Sequence, residues 1–157
     1  MDGFLTWTPE LSVGIDILDG DHQGFFELAA VLHDAQQADP VERHMVALSA
    51  IGLLEEYVEG HFLREERAME KAGYPGLARH RELHQAFREQ VAATARSYKE
   101  GDTAAAESLA QLVVSWLSAH IANVDHDYMG TVKPSDVDAS SLMLLVLAAS
   151  EEEVDEE

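Results

Sequence analysis

The sequence predicts an all-α protein: an antiparallel up-down-up-down four-helix bundle with an N-terminal arm and a C-terminal acidic tail. Three observations predict it. Apolar residues recur at three- and four-residue steps through four stretches between residues 16 and 130, which is the period of one helix face. Capping and stop residues punctuate these stretches, and the short connections between them favour antiparallel neighbours. No stretch alternates apolar and polar residues as a half-buried strand would.

In chain order, residues 1–15 read as the arm, 16–130 as the bundle and 131–157 as a C-terminal extension. The first helix is expected over about 16–37, with Asp16 as N-cap and Asp19 placing a second acid at the positive end of the helix dipole. Phe25, Leu28, Ala29 and Leu32 share one of its faces. Asp39 and Pro40 then place a cap before a proline at the first helical position. A second helix follows to Lys71 through Val46, Ile51, Leu54, Val58, Phe62 and Met69, and Gly73 with Pro75 stops it. The third runs from Leu77 to Lys99 on Leu83, Phe87 and Val91 and closes at Gly101. Asp102 or Thr103 caps a fourth, which continues through Leu109, Leu112, Val113, Trp116, Leu117, Ile121 and Val124 to Gly130. Beyond Pro134 the composition changes. Residues 134–157 carry eight acids and no Lys or Arg, and a short apolar run begins after Ser141. This tail is expected to be solvated or partly disordered; the alternative is that residues 142–157 dock on the bundle, on a second copy or on a protein partner.

Composition removes several function classes. The chain has 157 residues, 30 acidic against 10 basic side chains, and a formal net charge of −20. Such a charge repels phosphate, so neither nucleic acid nor an anionic membrane is an expected partner. With no cysteine, disulfides, thiolate metal sites and cysteine nucleophiles are all excluded. The opening residues, MDGFLTWTPELSVGI, lack the pattern of a signal peptide, and the longest apolar run, 142–149, is too short to span a bilayer. A cytoplasmic location is expected.

Eight histidines remain to be explained. His61 and Glu65 are four apart in HFLRE, His80 and His84 four apart in HRELH, and His120 and Asp125 five apart in HIANVD; His22 lies in DHQGFF of the first helix. A four-residue step brings two side chains to one helix face, one turn apart. Each pair alone is weak, because such pairs are common on solvated faces. These, however, lie on or beside the apolar stripes, where unpaired histidines and carboxylates are costly unless a metal satisfies them. Seven donors exceed the four of a tetrahedral zinc. They suit two six-coordinate irons sharing a bridging oxygen, with one position left open for a small molecule.

These motifs, GIDILDGDH, HFLREERAMEKAGYP, HRELH and WLSAHIANVD in that order, resemble the hemerythrin family, non-haem di-iron oxygen-binding four-helix bundles, in its single-domain bacterial form. The resemblance covers about residues 7–129. It implies two non-haem iron ions, cycling between Fe2+ and Fe3+ with a bridging oxo or hydroxo group, and dioxygen as the ligand. It further implies that His80, His84 and His120 hold one iron, that His22 and His61 hold the other, which carries the open site, and that Glu65 and Asp125 bridge both. Phe62, Trp116, Leu117 and Ile121 match positions that wall the oxygen pocket, although ordinary core packing would also place them inside.

One spacing resists a regular helix. Five residues turn it by about 500°, leaving Asp125 roughly 140° round from His120, so a π-bulge is expected there. His33, His44 and His126 fall outside the pattern and are expected on the surface or at helix flanks. The function expected is reversible dioxygen binding for carriage, storage or sensing, without catalysis. An oxidase or peroxidase is the first rival, but no histidine follows a glutamate by three residues as in carboxylate-rich di-iron enzymes. HRELH is likewise not the zinc-protease HExxH, since Glu82 lies one place too late. The second rival is a regulatory sensor of oxygen, nitric oxide or iron acting through a partner.

Overall fold

A computed structural model describes residues 6–155, among which all regular elements are helical. The first five residues of the expected arm and the last two of the acidic tail lie outside it. Five α-helices follow in order: α1 (Asp16–Asp34), α2 (Pro40–Ala72), α3 (Leu77–Lys99), α4 (Ala105–Asn123) and α5 (Leu142–Asp155). Helices α1 to α4 close a ring in which α1 packs on α2 and α4, and α3 on the same two; α5 lies outside the ring against α2. Along the α2–α3 seam, Arg81 pairs with Glu70, His84 with Glu66, Arg88 with Glu59 and Lys99 with Glu55. Partners descend α2 as they ascend α3, so these two helices run in opposite directions.

The periodic apolar positions meet in one core. Phe25, Ala29 and Leu32 of α1, Ile51, Leu54 and Val58 of α2, Phe87 and Val91 of α3, and Leu109, Val113 and Leu117 of α4 are all buried. The start of α2 follows its sequence signals. Asp39 accepts the backbone N–H groups of Val41 and Glu42, each at 3.1 Å, ahead of Pro40. Its end is set by Gly73, whose φ of 71° lies in the left-handed region that side chains with a Cβ avoid.

Four element ends depart from the sequence reading: one is the start of α4, where Ala104 takes the cap position and Asp102 accepts the Ala104 N–H at 3.2 Å instead of capping the helix. Asp16 is the first residue of α1 rather than its cap, and Ile15 before it has no side-chain oxygen to cap the helix. Asp19 turns its carboxylate back instead, accepting the Ser12 hydroxyl and the Val13 N–H at 2.9 Å, which ties down the arm. The helix also stops at Asp34 and tightens into a 3-10 turn, Ala35–Gln37. Finally, α4 ends at Asn123 and not at Gly130, because Val124 adopts φ −120° and ψ −55° before a 3-10 turn, Asp125–Tyr128.

In the C-terminal extension the structure takes the alternative reading, an apolar segment docked on the bundle. Residues expected to be solvated or partly disordered form α5, capped by Ser141, whose hydroxyl accepts the Leu144 N–H at 3.3 Å. Leu145 is buried, whereas Met143, Leu144 and Leu147 remain exposed. No helix is long and apolar enough to cross a membrane among the described residues.

Candidate metal centre

The seven sequence-predicted donors converge at one end of the bundle, where α1 begins, α2 turns into α3 and α4 ends. His22 enters from the second turn of α1, His61 and Glu65 from one face of α2, and His80 and His84 from the start of α3. His120 comes from the last turn of α4 and Asp125 from the 3-10 turn beyond it. All seven side chains are buried, none exposed by more than 5%.

The two carboxylates divide the histidines into two sets. Glu65 Oε1 lies 2.9 Å from His80 Nε2 and 3.1 Å from His84 Nε2, while Glu65 Oε2 lies 3.3 Å from His61 Nε2 and 3.6 Å from His22 Nε2. Asp125 makes the same division. Its Oδ1 is 3.0 Å from His80 Nε2 and 2.9 Å from His120 Nε2, and its Oδ2 is 3.2 Å from His22 Nε2.

Separations of this size suit a shared cation. Donors about 2.1 Å from a six-coordinate ion stand about 3.0 Å from one another. His80 Nε2 and His120 Nε2 are 3.0 Å apart, and two imidazole lone pairs at that distance repel unless a proton or a cation lies between them. His22 Nε2, His84 Nε2, Glu65 Oε1 and both Asp125 oxygens are buried without a hydrogen-bond partner, a costly arrangement for protein atoms alone. The donor set therefore fits metal: Glu65, His80, His84, His120 and Asp125 gather around one point, and His22, His61 and Glu65 around a second.

Asp125 reaches inward by a different device from the expected π-bulge. The Val124 N–H still bonds to the His120 carbonyl at 2.8 Å, an ordinary α-helical step. The helix then terminates, and the Asp127 N–H bonds to the Val124 carbonyl in the 3-10 manner. Breaking the helix at Val124 re-aims the next side chain without widening a turn. A five-residue spacing cannot distinguish these two solutions.

Four residues around the donors were missed by spacing alone. Asp21 Oδ2 accepts from His61 Nδ1 at 2.9 Å, and Glu66 accepts from His84 Nδ1 at 2.8 Å. Since a carboxylate can only accept, Nδ1 carries the proton in both rings, and each Nε2 faces the cluster. Arg64 holds Asp21 Oδ1 at 2.7 Å, and Tyr128 donates its hydroxyl to Glu65 Oε2 at 3.1 Å. A signal existed for three of them: Asp21, Arg64 and Glu66 are charged residues adjoining His22 or Glu65 in sequence, and they must share its buried surroundings.

Aromatic and aliphatic side chains cover the cluster. Phe62 stacks on His84 with ring centroids 3.7 Å apart, Trp116 stacks on His120 at 4.1 Å, and Phe87 stacks on Trp116 at 4.0 Å. Phe62, Leu117 and Ile121 are fully buried, and Trp116 is partly buried. The remaining histidines lie elsewhere. His33 meets Glu107 at 2.7 Å, His44 meets the Tyr98 hydroxyl at 2.8 Å, and His126 is half-buried beside Asp125 without joining the cluster.

The protein groups polarise one another strongly. Burial opposes the charge on His61, but Glu65 and Asp21 outweigh it and raise the imidazole to about 10. His80 is likewise raised to about 9, by Asp125 and Glu65 against burial. Burial also opposes ionisation of Glu65 and Asp125, yet the surrounding histidines hold both well below the usual carboxylate range. His120 goes the other way, and burial lowers it.

Fold and site together define a class: an all-α bundle with a buried cluster of histidine and carboxylate donors able to hold metal. Residues 13–132 match the family model described as the Hemerythrin HHE cation binding domain. The chain belongs to the hemerythrin family. It is 34% identical over 131 residues to a bacteriohemerythrin of Pseudomonas paraeruginosa, covering 83% of each chain. A bacteriohemerythrin of Clostridium acetobutylicum is 29% identical over 78% of this chain and 97% of its own. The myohemerythrin of Riftia pachyptila is 27% identical over 80% and 92%.

Proposed function

We propose that the protein binds dioxygen reversibly, for carriage, storage or sensing, at a non-haem di-iron centre, and that it is not an enzyme. The reading rests on one observation above the others: each carboxylate turns one oxygen to His80 with His84 or His120, and the other to His22 with or without His61. That division supports His80, His84 and His120 as ligands of one iron, His22 and His61 as ligands of the other, and Glu65 and Asp125 as bridges. Family membership supports the same assignment. Two iron ions held there would supply reversible two-electron exchange with dioxygen.

The chain's own groups have defined tasks in this reading. Asp21 and Glu66 hold the His61 and His84 rings with Nε2 inward. Tyr128 fixes the rotation of the Glu65 carboxylate. Two imidazoles and two shared carboxylates leave the His22–His61 side with fewer donors than its neighbour, which supports that side as the ligand-binding one. Phe62, Trp116, Leu117 and Ile121 exclude water and bulky substrates, which favours binding over turnover.

The test is a metal count and a cycle. Protein purified without oxygen should take up about two irons per chain, and its visible charge-transfer bands should appear with oxygen and recover through repeated deoxygenation. A single metal, a preference for zinc, or irreversible oxidation on first exposure would overturn the proposal. As a site control, Glu65→Ala should lose most of the iron while His44→Ala keeps it.

A further inference from the structure

The two halves of the cluster are buttressed from different places. On the three-histidine side, His84 leans on Glu66, which is met in turn by Arg81 at 3.3 Å and Arg88 at 3.5 Å. Those residues all belong to α2 and α3, and the two arginines reach the bundle surface. On the two-histidine side, His61 leans on Asp21, and Asp21 on Arg64, with Arg64 and Asp21 each only 5% exposed. Arg64 has a second partner: its Nη2 donates to the backbone carbonyl of Ser140, two residues before α5. The chain Ser140–Arg64–Asp21–His61 is thus an unbroken line of hydrogen bonds from the C-terminal segment to the cluster.

A second contact brings α5 to the same spot. Gly60 adjoins His61 in α2, and a Cβ built there would stand 2.8 Å from Leu142 Cβ and 3.1 Å from the Leu142 carbonyl oxygen. Only glycine lets the first turn of α5 sit this close. The segment involved, beyond residue 132, lies outside the family match.

We propose that Arg64 is a positioning residue that couples α5 to the two-histidine half of the centre. Through Asp21 it fixes the His61 ring, and through Ser140 it fastens the start of α5. Because coupling between two sites is reciprocal, metal held by His22 and His61 stabilises the docked helix, and loss of docking weakens that metal position alone. A sensor of metal or ligand occupancy would thereby have an output, the release of an apolar helix whose Met143, Leu144 and Leu147 are already exposed. This inference rests on the di-iron reading above.

The test uses the full chain and two readouts, Fe(II) affinity by chelator competition without oxygen and hydrogen exchange of the α5 amides. In the parent protein, loading with Fe(II) should slow exchange across residues 142–150 several-fold. Arg64→Met should abolish that response and weaken one of the two Fe(II) equivalents by about 10- to 100-fold, the usual effect of losing an outer partner of a ligating histidine, while sparing the other. Gly60→Ala leaves every hydrogen-bonding group in place and reports on docking should Arg64→Met fail to fold; it should weaken the same equivalent and speed α5 exchange. Arg67→Met, which removes the exposed ion pair to Glu152 and leaves the Arg64 bonds in place, should preserve the response. Both equivalents unchanged, both weakened alike, or α5 exchange indifferent to Fe(II) in the parent would overturn the coupling. A parent chain that fails to bind two equivalents would instead overturn the di-iron reading, so the two failures are distinguishable.

Discussion

Tyr128 shows how one side chain outside the donor set controls it. Its hydroxyl reaches Glu65 Oε2 at 3.1 Å, its ring lies near-parallel to His80 with centroids 6.0 Å apart, and it is fully buried. Glu65 must turn one oxygen toward each histidine set, and the Tyr128 hydrogen bond selects that rotation. Tyr128→Phe keeps the ring and removes the donor. It should cost about 1 kcal/mol of stability, the net worth of a typical hydrogen bond, and lower Fe(II) affinity by about tenfold; urea unfolding and chelator competition measure the two separately. Neither the tyrosine nor its partner could be paired from sequence, since 63 positions separate them.

The helices place the donors by where they begin and end as much as by their periodicity. α2 carries both His61 and Glu65, and its frame is set by Asp39 at one end and Gly73 at the other. Asp39→Ala removes the acceptor for the Val41 and Glu42 N–H groups and should destabilise the fold by about 1 kcal/mol, readable as a lower urea midpoint at unchanged iron stoichiometry. At the end of α4 the backbone itself is the functional device. Had the helix continued past Val124, Asp125 would have pointed away from His120. The turn at Asp125–Tyr128 delivers both Asp125 and Tyr128 to the site, and it explains why the helix stops seven residues short of the expected Gly130.

Taken together, the bundle concentrates charge in its interior and lets metal and protons compete for it. With His61 raised to about 10 and His80 to about 9, both imidazoles are protonated at pH 7 in the absence of metal, and a ligating imidazole must give up its proton. Loading Fe(II) near pH 7 should release about two protons per chain from these rings, measurable by calorimetry in buffers of different ionisation enthalpy, and affinity should rise with pH toward about 10. The stability of the metal-free chain follows the opposite sign. Groups with raised values contribute fully below their unfolded value near 6.5, and that contribution is lost as pH rises through 9 and 10. Iron-free protein should therefore melt at progressively lower temperature between pH 7 and 10, a trend that bound metal suppresses.

The sequence by itself determined the helical class, because apolar spacing reports which face of a helix is buried whatever it packs against. It also singled out His61 with Glu65 and His80 with His84, because donors one turn apart on a buried stripe are local information, while His22, His120 and Asp125 came with the motif order that resembles the hemerythrin family. Tertiary structure decided what depends on distant backbone meeting: the division of each carboxylate between two histidine sets, the Tyr128 bond to Glu65, the Arg64 link from Asp21 to Ser140, and the docking of α5 beside Gly60. It also decided the ends of α1 and α4, where arm and core contacts outweigh local helix signals. The three surplus histidines likewise found their places only in the fold, His33 against Glu107 and His44 against Tyr98, with His126 excluded from the centre despite adjoining Asp125.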